Sequence, residues 1–212
     1  GHFGKWHLNG LRGPGVPIDK AYPNGPQHFG FEHWVSTTNF FDLNPILSRN
    51  GNFEEFKGDS SEIVAEEALS FISKQAKKQI PFLCVIWYGT PHSPFVSLEK
   101  DQDDFLELNE NSKHHYAELK AMDRSIGTLR NGLSSLSINE NTMLWFMSDN
   151  GGLPQIYPPA NGGLRDHKGS LYEGGIRVPS IIEWPHGIST PRQTDYPCGA
   201  VDIFPTISEI VN

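Results

Sequence analysis

Residues 81–94 read PFLCVIWYGTPHSP, an apolar run that stops abruptly at polar residues and prolines. This composition is typical of a strand buried on both faces of a sheet. A second run of the same kind, TMLWFMSDNGG, occupies residues 142–152, and helical spacing of apolar residues predicts a helix over residues 112–136 between the two. Strand, helix and strand in this order predict a right-handed crossover in a parallel sheet that is covered by helices. The predicted fold class is therefore α/β.

Other segments extend this architecture. A helix should begin after Asp59, which has capping-box spacing to Glu62 and precedes apolar residues at helical intervals. Residues 178–185, VPSIIEWP, are a possible third strand, and residues 201–212, VDIFPTISEIVN, predict a short helix. Residues 8–58 are rich in Gly, Pro, Asn and aromatic side chains, which predicts long loops. The helix over residues 112–136 should present one apolar stripe, made of Tyr116, Leu119, Met122, Ile126, Leu129, Leu133 and Leu136.

Composition excludes several classes of protein. A chain of 212 residues with 37% hydrophobic residues can form one well-buried domain or most of a larger one. A formal net charge of −8 argues against nucleic acid as a partner, because phosphate binding needs clustered Lys and Arg. No apolar stretch is long enough to cross a bilayer. The cysteines, Cys84 and Cys198, are too few for a disulfide framework, and Cys84 lies in an apolar run as a buried, inert thiol.

The first candidate site follows the second apolar run, since ligands of such sheets bind beyond the carboxyl ends of the strands. Asp149 and Asn150 place a carboxylate and an amide oxygen there, in front of two glycines. Hard cations prefer such oxygens, although Asp-Asn-Gly-Gly is also ordinary turn chemistry. A calcium ion needs about six to eight oxygens, so any further ligands must come from outside this chain, from solvent or from substrate.

Two further positions carry chemistry that suits an anion. His92 lies between Pro91 and Pro94, whose fixed φ angles define how the chain leaves the first apolar run. An imidazole held there is suited to general acid catalysis. Lys168 lies in the stretch HKGSLYEGGIRVP, where glycines allow close approach of the backbone and the ammonium suits an anionic oxygen. The ordinary alternative for each is a solvated loop residue.

A third position lies at the start of the chain, where Lys5 and His7 flank Trp6. In an extended backbone the two polar side chains would share one face, and the indole would anchor the segment in the core from the other face. An exposed polar pair is the alternative. The remaining histidines, including His114 and His115, have no comparable context and are predicted to lie on the surface.

The order of these motifs is more specific than any one of them. GKWHL (4–8), a strand ending in PHSP, a strand ending in SDNGG, then LRDHKGSLYEGGIRVP (164–179) and a strand ending in WP follow one another. Together they resemble the formylglycine-dependent sulfatases of the alkaline phosphatase superfamily, over residues 1 to about 211. The resemblance is nearest to the arylsulfatase A and N-acetylgalactosamine-6-sulfatase types. It implies an alkaline-phosphatase-like α/β/α sandwich around a mostly parallel sheet.

The resemblance also implies a role for each candidate residue. The reaction would be hydrolysis of a sulfate ester around one calcium ion, and the substrate that we prefer is a sulfated carbohydrate. Asp149 and Asn150 match the second pair of calcium ligands of the family. Lys5 and His7 match residues that contact the formylglycine hydrate. His92 and Lys168 match residues that bind the sulfate group and assist the leaving oxygen, with His92 as the better candidate for its proton donor.

The chain also departs from the family pattern. Formylglycine arises in a Cys/Ser-x-Pro-x-Arg motif, which follows neither Cys84 nor Cys198 and is absent. The first pair of acidic calcium ligands and the smaller C-terminal subdomain are absent too, so residues 1–212 are expected to be a partial sulfatase catalytic domain that is inactive alone. Asn9 stands where the family usually has Gly, with little expected effect.

Two alternatives remain open for the function. A phosphate or phosphonate monoesterase of the same superfamily would share the metal pair, and a noncatalytic sulfatase-like protein could bind sulfated glycans without cleaving them. The aromatic stretch HFGFEHWVSTTNFFDL (28–43) could line a sugar pocket, or could simply pack a long loop. Sulfatases of this kind are commonly periplasmic, secreted or lysosomal, which is an expectation from the resemblance alone.

Overall fold

The computed structural model of the chain describes residues 1–11, 13, 15–39 and 41–211. Phe40 of the aromatic stretch and Asn212 of the C-terminal segment therefore lie outside the described residues. The chain divides into two compact units, each described here by itself. The first unit comprises Gly1–Asn139 and Gln155–Pro158, and the second comprises Glu140–Pro154 and Pro159–Asn212.

A five-stranded sheet forms the centre of the first unit. Its strands are β1 (His2–Lys5), β2 (Trp34–Thr37), β3 (Ile46–Arg49), β4 (Asn52–Glu55) and β5 (Val85–Trp87). The order is β4-β3-β2-β1-β5, in which β1 runs parallel to both neighbours while β3 is antiparallel to β2 and β4. The prediction of loops throughout residues 8–58 is wrong, because β2, β3 and β4 lie there. Each has four residues and forms by pairing across the sheet, so its sequence shows no periodicity of its own.

Three helices complete the first unit: α1 (Ser60–Lys77), α2 (Glu99–Gln102) and α3 (Glu110–Ser135). Short 3₁₀ turns occupy Pro26–Phe29, Asp103–Phe105 and Asn139–Asn141. The predicted start of the first helix is confirmed, since the Asp59 carboxylate accepts the backbone N–H groups of Ser61 at 2.8 Å and Glu62 at 3.3 Å. The main core lies between sheet and helices and includes Phe3, Val35, Leu47, Val64, Ala65, Ala68, Phe71, Leu129 and Leu133.

The buried face of α3 differs from the predicted stripe. Met122, Leu129 and Leu133 are buried, but the other four members are partly exposed. The buried residues of the helix also include four polar ones: Ser112, His115, Glu118 and Ser125. Hydrogen bonds explain part of this difference. Glu118 accepts from the backbone N–H of Val96 in the segment after β5, and the Ser125 hydroxyl bonds the Tyr88 hydroxyl. Within the described residues, no helix is long and apolar enough to span a membrane.

The prediction that the remaining histidines lie on the surface is wrong for two of them. His115 is 4% exposed, and His2 is fully buried in β1. The Nδ1 atom of His2 lies 2.7 Å from the Ser36 hydroxyl on β2. Burial lowers the pKa of His2 to about 3 and that of His115 to about 4, so both rings are neutral at pH 7. A neutral imidazole can replace an apolar side chain in a core, which a charge-based interpretation of the sequence misses.

The second unit contains the strands β6 (Leu144–Met147) and β7 (Ser180–Glu183) and the helices α4 (Glu173–Ile176) and α5 (Ile203–Val211). The helix α5, which a 3₁₀ turn at Ala200–Asp202 precedes, confirms the predicted C-terminal helix. The two predicted strands around residues 144 and 180 exist, but they pair antiparallel with each other. The α/β class is confirmed, and because β5 belongs to the first unit and β6 to the second, the crossover that would join them in one parallel sheet stays a prediction. Neither strand is fully buried, since every residue of β5 and β6 is at least partly exposed.

Candidate active site

The first candidate pair begins where β1 ends. Lys5 is the last residue of β1 and pairs in register with Thr37 of β2, while Gly4 pairs with Trp87 of β5. Gly4 has φ +99°, and a Cβ atom built there would lie 2.1 Å from the Trp87 carbonyl oxygen. Only glycine allows this approach. The strand that presents Lys5 is therefore held tightly against β5.

Trp6 anchors the segment as predicted. It is 1% exposed, its indole N–H donates to the Asn24 carbonyl oxygen at 2.6 Å, and its ring stacks on Trp87 with 5.8 Å between centroids. His7 is exposed and has φ +49°, so the predicted extended backbone through His7 is wrong. The backbone N–H of His7 donates to the Thr38 carbonyl oxygen at 2.6 Å. This bond helps to hold His7 at a positive φ, which costs free energy for a residue other than glycine.

His92 lies in the segment that follows β5, residues 88–97, which we name the His92 loop. The imidazole is half-buried, and its Nδ1 donates to the Ser93 carbonyl oxygen at 2.7 Å. A carbonyl oxygen can only accept, so the ring carries a hydrogen on Nδ1. At the start of the loop the Tyr88 hydroxyl lies 2.9 Å from the Ser125 hydroxyl on α3.

The topology places these three residues at the same edge of the sheet. β1 and β5 are parallel neighbours, and Lys5, His7 and His92 all lie at or just beyond the carboxyl ends of these strands. That edge is where parallel sheets bind ligands. The first unit therefore gathers one ammonium group and two imidazoles at one edge of its sheet.

The second unit carries the other three candidates. Asp149 and Asn150 follow β6 directly, with the Asp149 carboxylate exposed. The Ser148 hydroxyl donates to the Asn150 carbonyl oxygen at 2.9 Å, and the Asn150 side-chain amide donates to the Gly151 carbonyl oxygen at 3.0 Å. Because the Asn150 amide nitrogen donates to Gly151, its Oδ1 is left as an acceptor, one residue along the chain from the Asp149 carboxylate. Two adjacent hard oxygens fit one side of a calcium shell.

The backbone at Gly151 packs against the backbone of Gly174 and Gly175, a contact that we name the glycine crossing, and this holds the turn against the segment that carries Lys168. Gly151 N–H donates to the Gly175 carbonyl oxygen at 2.9 Å, and Lys168 N–H donates to the Gly152 carbonyl oxygen at 3.0 Å. A Cβ atom at Gly151 would lie 1.8 Å from the Gly174 carbonyl oxygen, so no larger residue fits. The second unit thus brings Lys168 to the backbone that follows Asp149 and Asn150. The sequence showed these glycines, but not that they pack on one another.

Sequence reasoning missed a group of buried acids in the first unit. Glu118 is fully buried, and burial together with the nearby Asp42 carboxylate raises its pKa to about 9. Burial and the nearby Asp59 raise the pKa of Asp42 to about 7. No pattern in the sequence distinguishes Glu118 from a solvated helix glutamate. Across residues 1–11, 13, 15–39 and 41–211, no three His, Cys, Asp or Glu side chains gather as a metal site.

Comparison with known proteins places the chain in a family. The ulvan-active sulfatase of Formosa agariphila is 30% identical over 100% of this chain and 43% of its own length. The N-acetylgalactosamine-6-sulfatase of Canis lupus familiaris is 28% identical over 96% of this chain and 40% of its own. The crystal structure of Ps i-CgsB in complex with k-i-k-neocarrahexaose matches with a TM-score of 0.86 and 25% identity, over 99% of this chain and 49% of that one.

The chain spans less than half the length of each of these relatives. The family model that describes sulfatases nevertheless matches residues 1–212 of this chain. The motifs that carry Lys5, His92, Asp149 and Lys168 all lie within that match. The chain therefore belongs to the sulfatase family.

Proposed function

We propose that the protein containing this chain hydrolyses sulfate esters, R–O–SO₃⁻, to an alcohol and sulfate. The observation that carries the proposal is the match of the sulfatase family model to all 212 residues. The fold also supports the proposal. Lys5, His92 and Asp149 lie at or beyond the carboxyl ends of β1, β5 and β6, and they offer a cation, a proton donor and a hard oxygen ligand. Sulfuryl transfer, like phosphoryl transfer, is accelerated mainly by positioning and by positive charge around the transferring group.

The residues of this chain divide the work between charge and proton transfer. Lys168 would supply a compact positive charge to a sulfate oxygen, and Lys5 and His7 would contact a formylglycine nucleophile supplied from outside these 212 residues. His92 gives a proton to the leaving oxygen. Its Nδ1–H is engaged with the Ser93 carbonyl oxygen, so the proton must leave from Nε2, which carries one only when the ring is cationic. General acid help of this kind is worth about 10²- to 10⁴-fold.

We propose that Asp149 and Asn150 hold one calcium ion together with ligands from outside this chain. The adjacent carboxylate and amide oxygens have the hard-donor chemistry that calcium prefers. The bound ion would offset negative charge on the sulfate group. Lys168, which is hydrogen-bonded through its backbone to Gly152, would add to that charge from the protein side.

The substrate class that we propose is a sulfated carbohydrate. Two proteins similar to this chain carry names that point to glycans, an ulvan-active sulfatase and a protein crystallised with a neocarrahexaose. Their identities of 30% and 25% support a substrate class and not one particular sugar.

The test is turnover by the complete protein. Sulfate release from sulfated oligosaccharides and from 4-nitrophenyl sulfate should exceed phosphate release from the matching phosphate esters, and mass spectrometry should detect formylglycine at the nucleophile. An unmodifiable residue at that position would remove the mechanism. Faster turnover of the phosphate esters would assign the protein to the phosphate monoesterases instead, and glycan binding without turnover would make it a noncatalytic binder.

A further inference from the structure

The far end of the His92 loop has two hydrogen-bond acceptors on α3. Val96 N–H donates to Glu118 Oε1 at 2.7 Å. Ser97 N–H donates to His114 Nδ1 at 3.2 Å, and the Ser97 hydroxyl lies 2.8 Å from the same nitrogen. Because it accepts from a backbone N–H, Nδ1 of His114 is the unprotonated ring nitrogen. Two side chains one helical turn apart therefore hold two consecutive residues of the loop.

Further contacts fix the rest of the loop. Phe95, the residue before Val96, is buried and packs edge-on against His115 with 5.3 Å between ring centroids. Near its start, the Thr90 hydroxyl lies 2.7 Å from the buried Ser61 hydroxyl on α1. Residues on both sides of His92 are thus attached to helices, and α3 makes all the contacts on the far side that are described above.

Glu118 is a costly residue for this place. It is fully buried, and within the described part of the chain its Oε2 atom has no hydrogen-bond partner. Burial keeps the group protonated at pH 7, because its pKa is raised to about 9. A leucine would fill a similar volume without burying a polar atom that lacks a partner. What the glutamate adds is an acceptor for Val96 N–H.

We propose that Glu118 is a positioning residue for His92, acting through the backbone of Val96 on the loop that carries the imidazole. The inference rests on the proposed function, since His92 is placed there as the proton donor. Glu118 is not assigned any contact with the substrate. A displacement of about 1 Å at a reacting group can cost about 10²-fold in rate, so a lost anchor four residues away is a large perturbation.

Two substitutions separate the loss of the hydrogen-bond acceptor at position 118 from a change in side-chain volume. Glu118→Gln keeps a carbonyl oxygen for Val96 N–H, and Glu118→Leu removes it. We expect Glu118→Leu to lower kcat on a sugar sulfate about 10²-fold with KM within about 3-fold, and to have only a slight effect on 4-nitrophenyl sulfate, whose leaving group needs little protonation. Glu118→Gln should stay within about 3-fold of the parent on both substrates.

A double variant tests whether the effect passes through His92. In a His92→Ala background, Glu118→Leu should cause no further loss on the sugar sulfate, because coupled residues are not additive. Equal losses on both substrates, or an undiminished loss in the His92→Ala background, would overturn the proposal. If Glu118→Leu does not fold, Glu118→Met removes the same acceptor with a flexible side chain of similar volume and should show the same leaving-group pattern, and its absence would count equally against the proposal.

A readout without turnover separates this proposal from the proposed function. In ¹⁵N NMR spectra of histidine-labelled protein, the His92 Nδ1–H that bonds the Ser93 carbonyl oxygen should be present in the parent and in Glu118→Gln, and lost or averaged in Glu118→Leu. A parent that cleaves no sulfate ester but shows this change would refute the function and keep the positioning. An active parent whose His92 signal is unaltered in Glu118→Leu would support the proposed function and refute the positioning role of Glu118.

Discussion

The glycine crossing in the second unit makes Gly151→Ala an informative substitution. The new Cβ would lie 1.8 Å from the Gly174 carbonyl oxygen, a distance that real side chains do not adopt. Separating the two to 3.0 Å requires a backbone shift of about 1.2 Å. The bond between Gly151 N–H and the Gly175 carbonyl oxygen, 2.9 Å long, would then exceed hydrogen-bonding distance.

The expected cost follows from these two effects. Overpacking a tight contact costs about 1–3 kcal/mol, and loss of a buried backbone hydrogen bond costs about 1 kcal/mol. Gly151 has no positive φ, so backbone strain adds nothing to the loss. We expect Gly151→Ala to lower the free energy of unfolding by about 3 kcal/mol, which corresponds to a fall of about 6–12 °C in Tm. The shift would also displace the backbone that carries Asp149 and Asn150.

Thermal unfolding followed by circular dichroism measures the loss, and two other glycines provide matched controls. Gly199 meets nothing within 4 Å of a built Cβ, so Gly199→Ala should leave Tm unchanged. Gly127 lies in the middle of α3 with open space around it, so Gly127→Ala should stabilise the protein by about 0.8–1 kcal/mol through helix propensity. A Tm for Gly151→Ala equal to that for Gly199→Ala would refute the crossing of the two backbones.

Three further predictions concern the first unit. His92→Ala should slow cleavage of a sugar sulfate about 10²- to 10⁴-fold and that of 4-nitrophenyl sulfate far less, and equal losses in kcat would show that His92 is not the proton donor. Arg124 bonds the 3% exposed Asp101 carboxylate at 2.7 Å, so Arg124→Met should cost about 2 kcal/mol in urea unfolding. Lys120 on the same helix pairs with the exposed carboxylate of Asp104, so Lys120→Met is the control, and a loss as large as that of Arg124→Met would contradict the role of the buried partner. The pKa of Glu118 rises from 4.5 to about 9 on folding, so the folded state holds a proton that the unfolded state releases between these values. The contribution of Glu118 to stability therefore falls as pH rises from about 5 to 9. In urea unfolding at several pH values, the slope of the free energy of unfolding against pH should be less negative, or more positive, in Glu118→Gln than in the parent. An unchanged slope would mean that Glu118 ionises freely.

The sequence predicts those features of the fold that depend on neighbouring residues. Asp59 caps α1 through the next two or three residues along the chain, so its signal is local and strong. β2, β3 and β4 depend on register with strands elsewhere in the chain, which a single sequence does not reveal. The buried face of α3 was misplaced for a related reason, since Glu118 is buried to serve a loop distant in sequence.

In the candidate site, too, the sequence predicts local features but not those that depend on residues distant in the chain. The types and order of its residues are visible in the sequence, because they stand in short motifs that contain Gly or Pro, and all except Lys168 lie at or soon after the end of a strand. The conformation of His7, with φ +49°, is not visible, since it results from a hydrogen bond to Thr38 across the sheet. The contact of Gly151 with Gly174 is likewise tertiary, although both glycines stand in recognisable motifs.

The stacked indoles of Trp6 and Trp87 give this edge of the sheet an optical signature. Their rings lie 5.8 Å apart and 23° from parallel, close enough for the transitions of the two chromophores to couple. Such coupling produces a paired positive and negative band in the circular dichroism spectrum, which disappears when either ring is replaced. Because Trp6 stands between Lys5 and His7, that band would monitor the alignment of β1 and β5 in the absence of any substrate, metal or nucleophile.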